Sequence, residues 1–401
     1  MTKPKMFEKP TGVKDYLPDA VRKLRSIEMK VLSCMEQWGY EEIRTPALEF
    51  YDTVGAASTT SDPKLFKLLD KNGTTMVLRS ELTAPIARVV TSLLRDEPLP
   101  LRLSYHANVF RAMEEETGRD AEFYQTGVEL VGDGSAEADA EIIALAAASL
   151  RAAGIEDFKI ALGHAGFLNG LFREALHQQE ATQANLKECL LRRNYVGYTE
   201  EVKSLSISDE AKAELEGVLR LHGGRDVCEQ ARKLTSDPEA QAAMEHLNRV
   251  LAALDDYGVA DQVMIDLTMV GDFSYYTGIV FEGYVDKLGF PVCSGGRYDN
   301  LLEQFGRPAP ATGFALKTTR ILEMLNGEEP QRPHRVLVLY HPEKHKEAVR
   351  YAMARRAEQG YSHGIAVELR QISADEDEKT EQAKLQCDEI IAFKGKEGDK
   401  T

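Results

Sequence analysis

The sequence predicts an α+β fold, in which an antiparallel sheet is flanked by helices and carries a helical insertion and a small C-terminal α/β domain. Three observations predict it. Two alternating strands follow one another across a polar loop short enough for a hairpin. Residues 164–257 have helical periodicity. Residues 333–401 alternate strand and helix patterns, which is typical of a small parallel sheet.

Length and charge limit the class of protein. The 401 residues are enough for two or three domains, and a formal net charge of −16 disfavours general attraction to nucleic acid or membrane surfaces. The five cysteines lack a CxxC pair and the nine histidines lack ligand spacing, so we expect reduced thiols and no metal or other cofactor. Because no apolar run approaches about 18 residues, we expect a cytoplasmic protein.

The N-terminal region predicts one helix and one interrupted strand. Apolar residues at intervals of three and four predict a helix from Val21 to Trp38, with Asp19 as its N-cap and Gly39 at its end. The following segment, YEEIRTPALEF, is a strand pattern broken by Pro46. Proline cannot donate a hydrogen bond to a neighbouring strand, so we expect this strand at a sheet edge or a subunit interface.

The segments LRLSYHANVFR and FYQTGVELV alternate as strands and predict an antiparallel hairpin. The first places one set of side chains on a single face: Leu101, Leu103, Tyr105, Ala107, Val109 and Arg111. The second places Gln125, Gly127 and Glu129 on one face. Two polar side chains on either side of a glycine predict a floor with a gap.

Further along, Ser135 can cap a helix that Gly154 ends, and the strand FKIALG follows. The helical stretch 164–257 contains breaks at GYTEE and LHGGRD. Strand patterns return in QVMIDLTMV, YYTGIVFEGYV and FPVCSGG, so we expect the sheet to resume. The glycines of GGRYDNLLEQFG are consistent with a simple turn before a helix, with Arg297 at the surface.

The C-terminal region has the order strand, helix, strand, helix, strand. VLVLY precedes a helix that Pro342 opens and Gly360 closes; IAVELRQI, a charged helix and IIAF follow. This order predicts a small parallel sheet in a separate domain.

Familiar catalytic motifs are absent: the sequence has no GxGxxG, P-loop, GxSxG or HExxH. The remaining candidates are polar residues on alternating strands, namely Gln125, Glu129, Tyr275 and Tyr276, together with RSELT from Arg79 to Thr83. Carboxylates, hydroxyls and aromatic rings suit a small cationic or zwitterionic ligand. On periodicity alone we favour the simpler interpretation, in which these are solvated strand residues and core tyrosines.

A series of motifs changes that interpretation. From about Phe7 to Leu325 they follow one another in the order and approximate spacing of a class II aminoacyl-tRNA synthetase core, and the chain resembles the histidyl-tRNA synthetase group in particular. They are PTGVKDYLP, WGYEEIRTPALE, LRSELTAPIAR, VFR with GRDAEFYQTGVELVG, YYTGIVFEGY, CSGGRYDNLLEQFG and GFALKTTRILEML. By this resemblance the core spans 1–163 and 258–328, a helical insertion spans 164–257, and 333–401 resembles a truncated anticodon-binding domain.

The resemblance also implies a pocket for histidine. The family's pocket corresponds here to Glu81, Thr83, Gln125, Glu129, Tyr275 and Tyr276, with Arg111 facing the carboxylate or phosphate side. These are residues that strand alternation had already selected. The resemblance therefore implies that the chain binds free histidine.

Departures from the synthetase pattern argue against catalysis. Gly271 stands where the synthetases carry an arginine a few residues before the paired tyrosines, and Met113 replaces a glutamate that contacts ATP. The usual GFAxGxER reads GFALKTTR, with Lys317 and Thr319, and Lys317 would crowd a nucleotide unless it points away. The acidic loop Glu114 to Glu116 would repel a tRNA end.

Loss of adenylation residues with retention of amino-acid contacts resembles the group of histidyl-tRNA synthetase paralogues that serve as regulatory subunits of ATP phosphoribosyltransferase, a glycosyltransferase of histidine biosynthesis. The resemblance implies a chain without catalytic residues that activates a short catalytic subunit and mediates feedback inhibition by histidine. It also implies a homodimer as the building block of a larger hetero-oligomer, and it disfavours tRNA and membranes as partners. An active histidyl-tRNA synthetase and a stand-alone histidine sensor are the alternatives.

Overall fold

The protein is described by a computed structural model that covers residues 7–55, 57–58, 60–112, 120–177, 179–270, 276–286, 288–325, 332–358, 364–372 and 387–394. The chain forms two compact units, Met1–Gly327 and Glu328–Thr401. The first unit holds both the sheet and the helical segment that interrupts it.

The described helices are α1 Pro18–Gln37, α2 Thr83–Ser92, α3 Ala136–Ala152, α4 Ala165–Leu176, α5 Glu180–Leu191, α6 Tyr195–Ser204, α7 Asp209–Gly217, α8 Asp226–Arg232, α9 Pro238–Asp256, α10 Thr318–Met324 and α11 His345–Arg356. The described strands are β1 Glu41–Glu42, β2 Leu48–Phe50, β3 Lys67–Leu69, β4 Thr75–Leu78, β5 Leu101–Phe110, β6 Glu122–Val131, β7 Lys159–His164, β8 His222–Gly223, β9 Val263–Asp266, β10 Ile279–Tyr284, β11 Cys293–Arg297, β12 Ala311–Lys317, β13 His334–Tyr340, β14 Ile365–Gln371 and β15 Glu389–Phe393.

The first unit is organised around a nine-stranded sheet in the order β1-β5-β6-β12-β11-β10-β7-β9-β8. Its central strands are antiparallel, and β1 and β9 run parallel to their neighbours β5 and β7. Val128 and Leu130 of β6 pack on one face with apolar residues of α1 and α3. Leu103 and Tyr105 of β5 pack on the other face with the first turns of α2. The predicted α+β fold is confirmed.

The start of α1 differs from the prediction. The helix begins at Pro18 with Leu17 as its N-cap and no side-chain cap, and Asp19 lies in its first turn. The prediction of Asp19 as N-cap is wrong because Pro18, whose φ is already helical, starts the helix one residue earlier. The helix ends before Gly39, which has φ +84° as expected of a C-terminal glycine.

The segment interrupted by Pro46 divides between two sheets. β1 forms the edge of the nine-stranded sheet, and β2 belongs to a separate three-stranded sheet in the order β2-β4-β3. β1 and β2 are both edge strands, as the proline predicted.

The predicted hairpin is confirmed. β5 and β6 pair antiparallel from Leu101 opposite Val131 to Phe110 opposite Glu122. Cross-strand partners share a face, so Glu129 lies beside Leu103, and Gly127 lies beside Tyr105. Ser135 caps α3 by accepting a hydrogen bond from the Ala138 backbone N–H at 3.1 Å.

Helices α4 to α9 fill the segment after β7, with one of the two predicted breaks. The GYTEE break is wrong: α6 runs through it, because the Asn194 side chain caps that helix by accepting from the Gly197 N–H at 3.0 Å. The LHGGRD break is present and contains β8, which pairs with β9.

The turn expected at GGRYDNLLEQFG is also wrong. Gly295 and Gly296 are strand residues of β11, and Arg297 is buried. A Cβ at Gly295 would lie 2.4 Å from the carbonyl oxygen of Gly313 on β12. Close approach of neighbouring groups, and not a change of chain direction, is therefore what these glycines permit.

The second unit contains a three-stranded parallel sheet in the order β14-β13-β15, as predicted. Residues Pro342–Lys344 form a short 3₁₀ turn, and α11 begins at His345. Its apolar side packs on β13 through Ala348 and Ala352. Gly360 and the predicted charged helix lie outside the described residues. None of the helices in the described ranges combines the length and apolar character needed to cross a membrane.

Candidate functional site

A cleft on the α2 side of the large sheet brings together most of the predicted site residues. Glu81, Thr83, Arg111, Gln125, Glu129 and Tyr276 all line it. The space amounts to about 470 Å³ when counted out to the open mouth, within the usual range for a small-molecule site. Tyr275 lies outside the described residues.

Glycines on three adjacent strands shape the floor. A Cβ at Gly313 would lie 2.1 Å from a carboxylate oxygen of Glu129, and one at Gly127 would lie 2.6 Å from the hydroxyl oxygen of Tyr105. A Cβ at Gly296 would lie 2.8 Å from the ring of Tyr276. The large polar side chains of the cleft therefore lie across the sheet in space that only glycine leaves free.

Glu129 occupies the centre of one end of the cleft. Its carboxylate accepts hydrogen bonds from the Thr83 hydroxyl, at 2.8 Å, and from the Tyr298 hydroxyl. Burial raises the pKa of Glu129 to about 8, with a smaller contribution from the charge of Glu81. At neutral pH this carboxyl is largely protonated in the empty cleft, and a bound cation would favour its ionised form.

Glu81 lies at the N-terminus of α2. Its carboxylate accepts from the backbone N–H groups of Thr83 and Ala84, the latter at 3.1 Å, and so occupies the positive end of that helix. Burial nevertheless raises the pKa of Glu81, and hydrogen bonds and the charge of Arg111 oppose this shift. Two buried carboxyl groups thus face the same small space, an arrangement suited to ammonium or imidazolium groups.

Two cations complete the electrostatics. The Arg111 Nε donates to the Ser80 carbonyl oxygen at 2.9 Å, and its guanidinium lies over the Phe123 ring, 5.4 Å from the centroid. Lys317, at the end of β12, lines the cleft and is only 8% exposed. Two carboxyl groups and two cations in one cleft suit a zwitterionic ligand.

Sequence reasoning did not assign Tyr105, Tyr298 or Ser294 to the cleft, although all three line it. A signal existed for Tyr105, which the strand alternation placed on the same face as Arg111. Burial and the charge of Glu129 raise the pKa of Tyr105 well above its ordinary value, so it stays a neutral hydroxyl.

A buried ion pair supports the cleft from outside. The Arg297 guanidinium binds the carboxylate of Asp139 on α3 with N···O distances of 2.9 to 3.1 Å, and it also contacts Asp299 at 3.1 Å. The Asp139 carboxylate lies 3.3 Å from Nε2 of His246 on α9. Burial raises the pKa of Asp139, while the charge of Arg297 opposes that rise.

The departures from the synthetase pattern fall in different places. Lys317 does not point away from the cleft: it is one of its lining residues. The Thr319 hydroxyl oxygen accepts from the Tyr124 backbone N–H at 2.9 Å, on the opposite face of the sheet from the cleft. Met113, the acidic loop Glu114 to Glu116 and Gly271 lie outside the described residues. Among the residues that the structure describes, no group of three His, Cys, Asp or Glu side chains could hold a metal ion.

Comparison with known proteins agrees with this architecture. A family model described as Histidyl-tRNA synthetase matches residues 12–321. A crystal structure titled as an ATP phosphoribosyltransferase regulatory subunit/histidyl-tRNA synthetase from Bacillus halodurans has a TM-score of 0.88 and 42% identity, and covers 98% of this chain and 100% of that one. A histidyl-tRNA synthetase from Nostoc, at 22% identity and a TM-score of 0.78 over 95% of this chain and 89% of that one, shares the fold. The chain belongs to the histidyl-tRNA synthetase family, with its class II synthetase fold.

Curated relatives define the group within that family. A protein of Halalkalibacterium halodurans is 45% identical over 93% of each chain, and one of Geobacillus thermodenitrificans is 48% identical over 88% of this chain and 89% of its own. One from Bacillus subtilis is 45% identical over 88% of this chain and 89% of its own. All three are named ATP phosphoribosyltransferase regulatory subunit, and the chain belongs with them. The resemblance predicted from the motifs is confirmed.

Proposed function

We propose that this chain is the non-catalytic regulatory subunit of an ATP phosphoribosyltransferase, and that it activates a short catalytic subunit in the first step of histidine biosynthesis. The observation that carries the proposal is the likeness of nearly the whole chain to relatives named for that role. A cleft with opposite charges supports an effector site in the same chain.

The effector in this proposal is free histidine. The buried carboxyl groups of Glu81 and Glu129 would receive its cationic groups, and Tyr276 would form an aromatic wall. Arg111 and Gln125 lie at the side left for the carboxylate. Feedback inhibition additionally requires that histidine bind the inhibited assembly more tightly than the active one, typically by about 1 to 3 kcal/mol.

We expect a homodimer within a larger hetero-oligomer. The three-stranded sheet exposes an apolar face to which Leu48, Phe50 and Leu68 contribute, and these side chains are 46%, 54% and 42% exposed. Contiguous apolar surface of this kind is typical of a protein interface. The net charge of −16 makes tRNA a poor partner for the assembly.

The test is reconstitution. Purified chain is added to a short catalytic subunit of ATP phosphoribosyltransferase, and condensation of ATP with phosphoribosyl pyrophosphate is measured with and without histidine. We expect activation by the chain and inhibition by histidine that requires it. Activity unaffected by the chain, or equal inhibition without it, would contradict the regulatory proposal.

An active histidyl-tRNA synthetase is the second candidate, because the matching family model and one solved structure carry that name. Lys317 in the cleft and Gly271 in the sequence argue against it. Histidine-dependent exchange of pyrophosphate into ATP distinguishes the two candidates. Measurable exchange by the purified chain, absent from an E129Q variant, would establish the synthetase function.

A further inference from the structure

The cleft is electrically polarised along two paired strands. Within the β6–β12 pairing, Glu129 lies opposite Gly313 and Gln125 lies opposite Lys317. These two pairs are four residues apart, which corresponds to about 13 Å along a strand. One end of the floor therefore carries an acidic group, and the other carries an amide beside a cation.

The local structure directs Lys317 into the cleft. Its backbone N–H donates to the Val292 carbonyl oxygen at 2.7 Å, and it is the last residue of β12 before α10. The next residue, Thr318, contacts the Thr126 hydroxyl at 2.8 Å on the opposite face of the sheet. Alternation along the strand thus fixes the Lys317 side chain on the cleft face, with Gly313 and Ala315.

The other cation of the cleft is already engaged near the acidic end. Arg111 donates to the Ser80 carbonyl oxygen and lies over the Phe123 ring. Its charge also opposes the effect of burial on the Glu81 carboxylate, so part of its influence is spent at the start of α2. Lys317 is the cation that stands beside the amide of Gln125, at the end farther from Glu129.

We infer that Lys317, together with Gln125, binds the free α-carboxylate of the ligand, and so determines that the cleft accepts an unactivated amino acid and rejects carboxyl-modified forms. An ester, an amide or an acyl phosphate lacks the negative charge on the carboxyl oxygen that an ammonium group recognises, and it adds atoms where Lys317 fills the cleft. The inference rests on the proposal that histidine is the ligand.

The test compares histidine with histidinol, which carries a hydroxymethyl group in place of the carboxylate, by calorimetric titration of the full-length chain. For the unmodified chain we expect histidine to bind about 10- to 100-fold more tightly, the range for a hydrogen bond to a charged group. Lys317→Met should reduce that ratio towards one by weakening histidine alone. Lys317→Arg, which keeps the cation, should retain most of it.

The matched control is Lys203→Met, which removes a lysine charge from the exposed surface of α6 and should leave the ratio unchanged. Lys317→Gln serves as a second neutral variant if the methionine variant fails to fold. A ratio that is unaffected by neutral substitutions at Lys317, or that disappears in Arg111→Met instead, would overturn the inference. Equal binding of both ligands to the unmodified chain would also overturn it, whereas no histidine binding at all would contradict the effector proposal itself.

Discussion

The hydroxyl of Thr83 donates to the carboxylate of Glu129 across 2.8 Å, which ties the first residue of α2 to the middle of β6. Tyr298, just beyond β11, donates to the other oxygen of the same carboxylate. One buried acid thereby holds together three elements that are far apart in the sequence. Its ionisation provides the first two predictions.

Binding of histidine should release protons. A cationic group near Glu129 favours the ionised carboxylate, whereas in the empty cleft its pKa is about 8. At pH 7 we expect release approaching about one proton per site, and an affinity that rises with pH up to about 8. Titration calorimetry in phosphate and in Tris, which differ in ionisation enthalpy, measures the release. Buffer-independent enthalpies in the unmodified chain would contradict it, and E129Q should show little release.

The same carboxyl should make the stability of the empty chain pH-dependent. The pKa of Glu129 is about 8 in the folded chain against an ordinary value of 4.5, so the unfolded chain loses the proton first as pH rises. The stabilisation from the protonated form is complete below pH 4.5 and is lost as pH rises to about 8. Urea denaturation at pH 5.5, 7 and 8.5 should show the free energy of unfolding falling less steeply in E129Q. Parallel curves for the two chains would be the contrary result.

Adding one methyl group at Gly313 should damage the site. The new Cβ would lie 2.1 Å from a Glu129 carboxylate oxygen and 2.4 Å from the Val128 carbonyl oxygen. We expect G313A to weaken histidine binding at least tenfold, and to reduce the free energy of unfolding by about 1 to 3 kcal/mol, as overpacking usually does. G289A is the matched control, because no heavy atom lies within 4 Å of its added Cβ. Normal binding by G313A would show that the acid can move aside.

Breaking the ion pair between Arg297 and Asp139 should destabilise the first unit. Both side chains are buried, and removing one partner leaves the other charge without compensation. We expect D139N to lower the free energy of unfolding by about 3 to 5 kcal/mol, measured by urea denaturation. An exposed pair gives the comparison: E188Q, which breaks the contact with Arg192, should change it by less than about 1 kcal/mol. Similar effects for the two variants would mean that burial of the Asp139 pair has little energetic consequence.

A charge on the apolar face of the three-stranded sheet should separate the expected dimer. Phe50 is 54% exposed, and its cross-strand partner Met76 lies on the same face. F50D would place a carboxylate in the interface, so we expect a monomer by analytical ultracentrifugation at micromolar concentration. L93D changes an exposed leucine just after α2 and should leave the dimer intact. A dimer that persists in F50D would locate the interface elsewhere.

Local patterns predicted most of the fold because they report short-range constraints. Strand alternation correctly placed Gln125 and Glu129 on one face, and Pro46 correctly marked edge strands. The errors arose where a tertiary contact overrides local preference. Gly295 and Gly296 have the composition of a turn, yet they continue a strand because neighbouring groups approach too closely for any side chain.

The site was less predictable than the fold. Alternation indicates which face a side chain occupies, but it does not indicate which strand lies alongside. Lys317 is opposite Gln125 only because β12 pairs with β6, and these residues are nearly two hundred positions apart in the sequence. Tyr298 likewise reaches Glu129 through tertiary structure. The motif resemblance indicated the cleft, whereas its second cation and its third hydroxyl group required the strand order.

Arg297 and Tyr298 are consecutive, yet the first binds Asp139 on α3 and the second binds Glu129 in the cleft. A single peptide link joins the two contacts, so a displacement of one is mechanically transmitted to the other. His246 on α9 lies beside the same aspartate. Occupancy of the cleft and the posture of the neighbouring helical segment are therefore expected to vary together, which gives a signal at the sheet a short route to a distant surface.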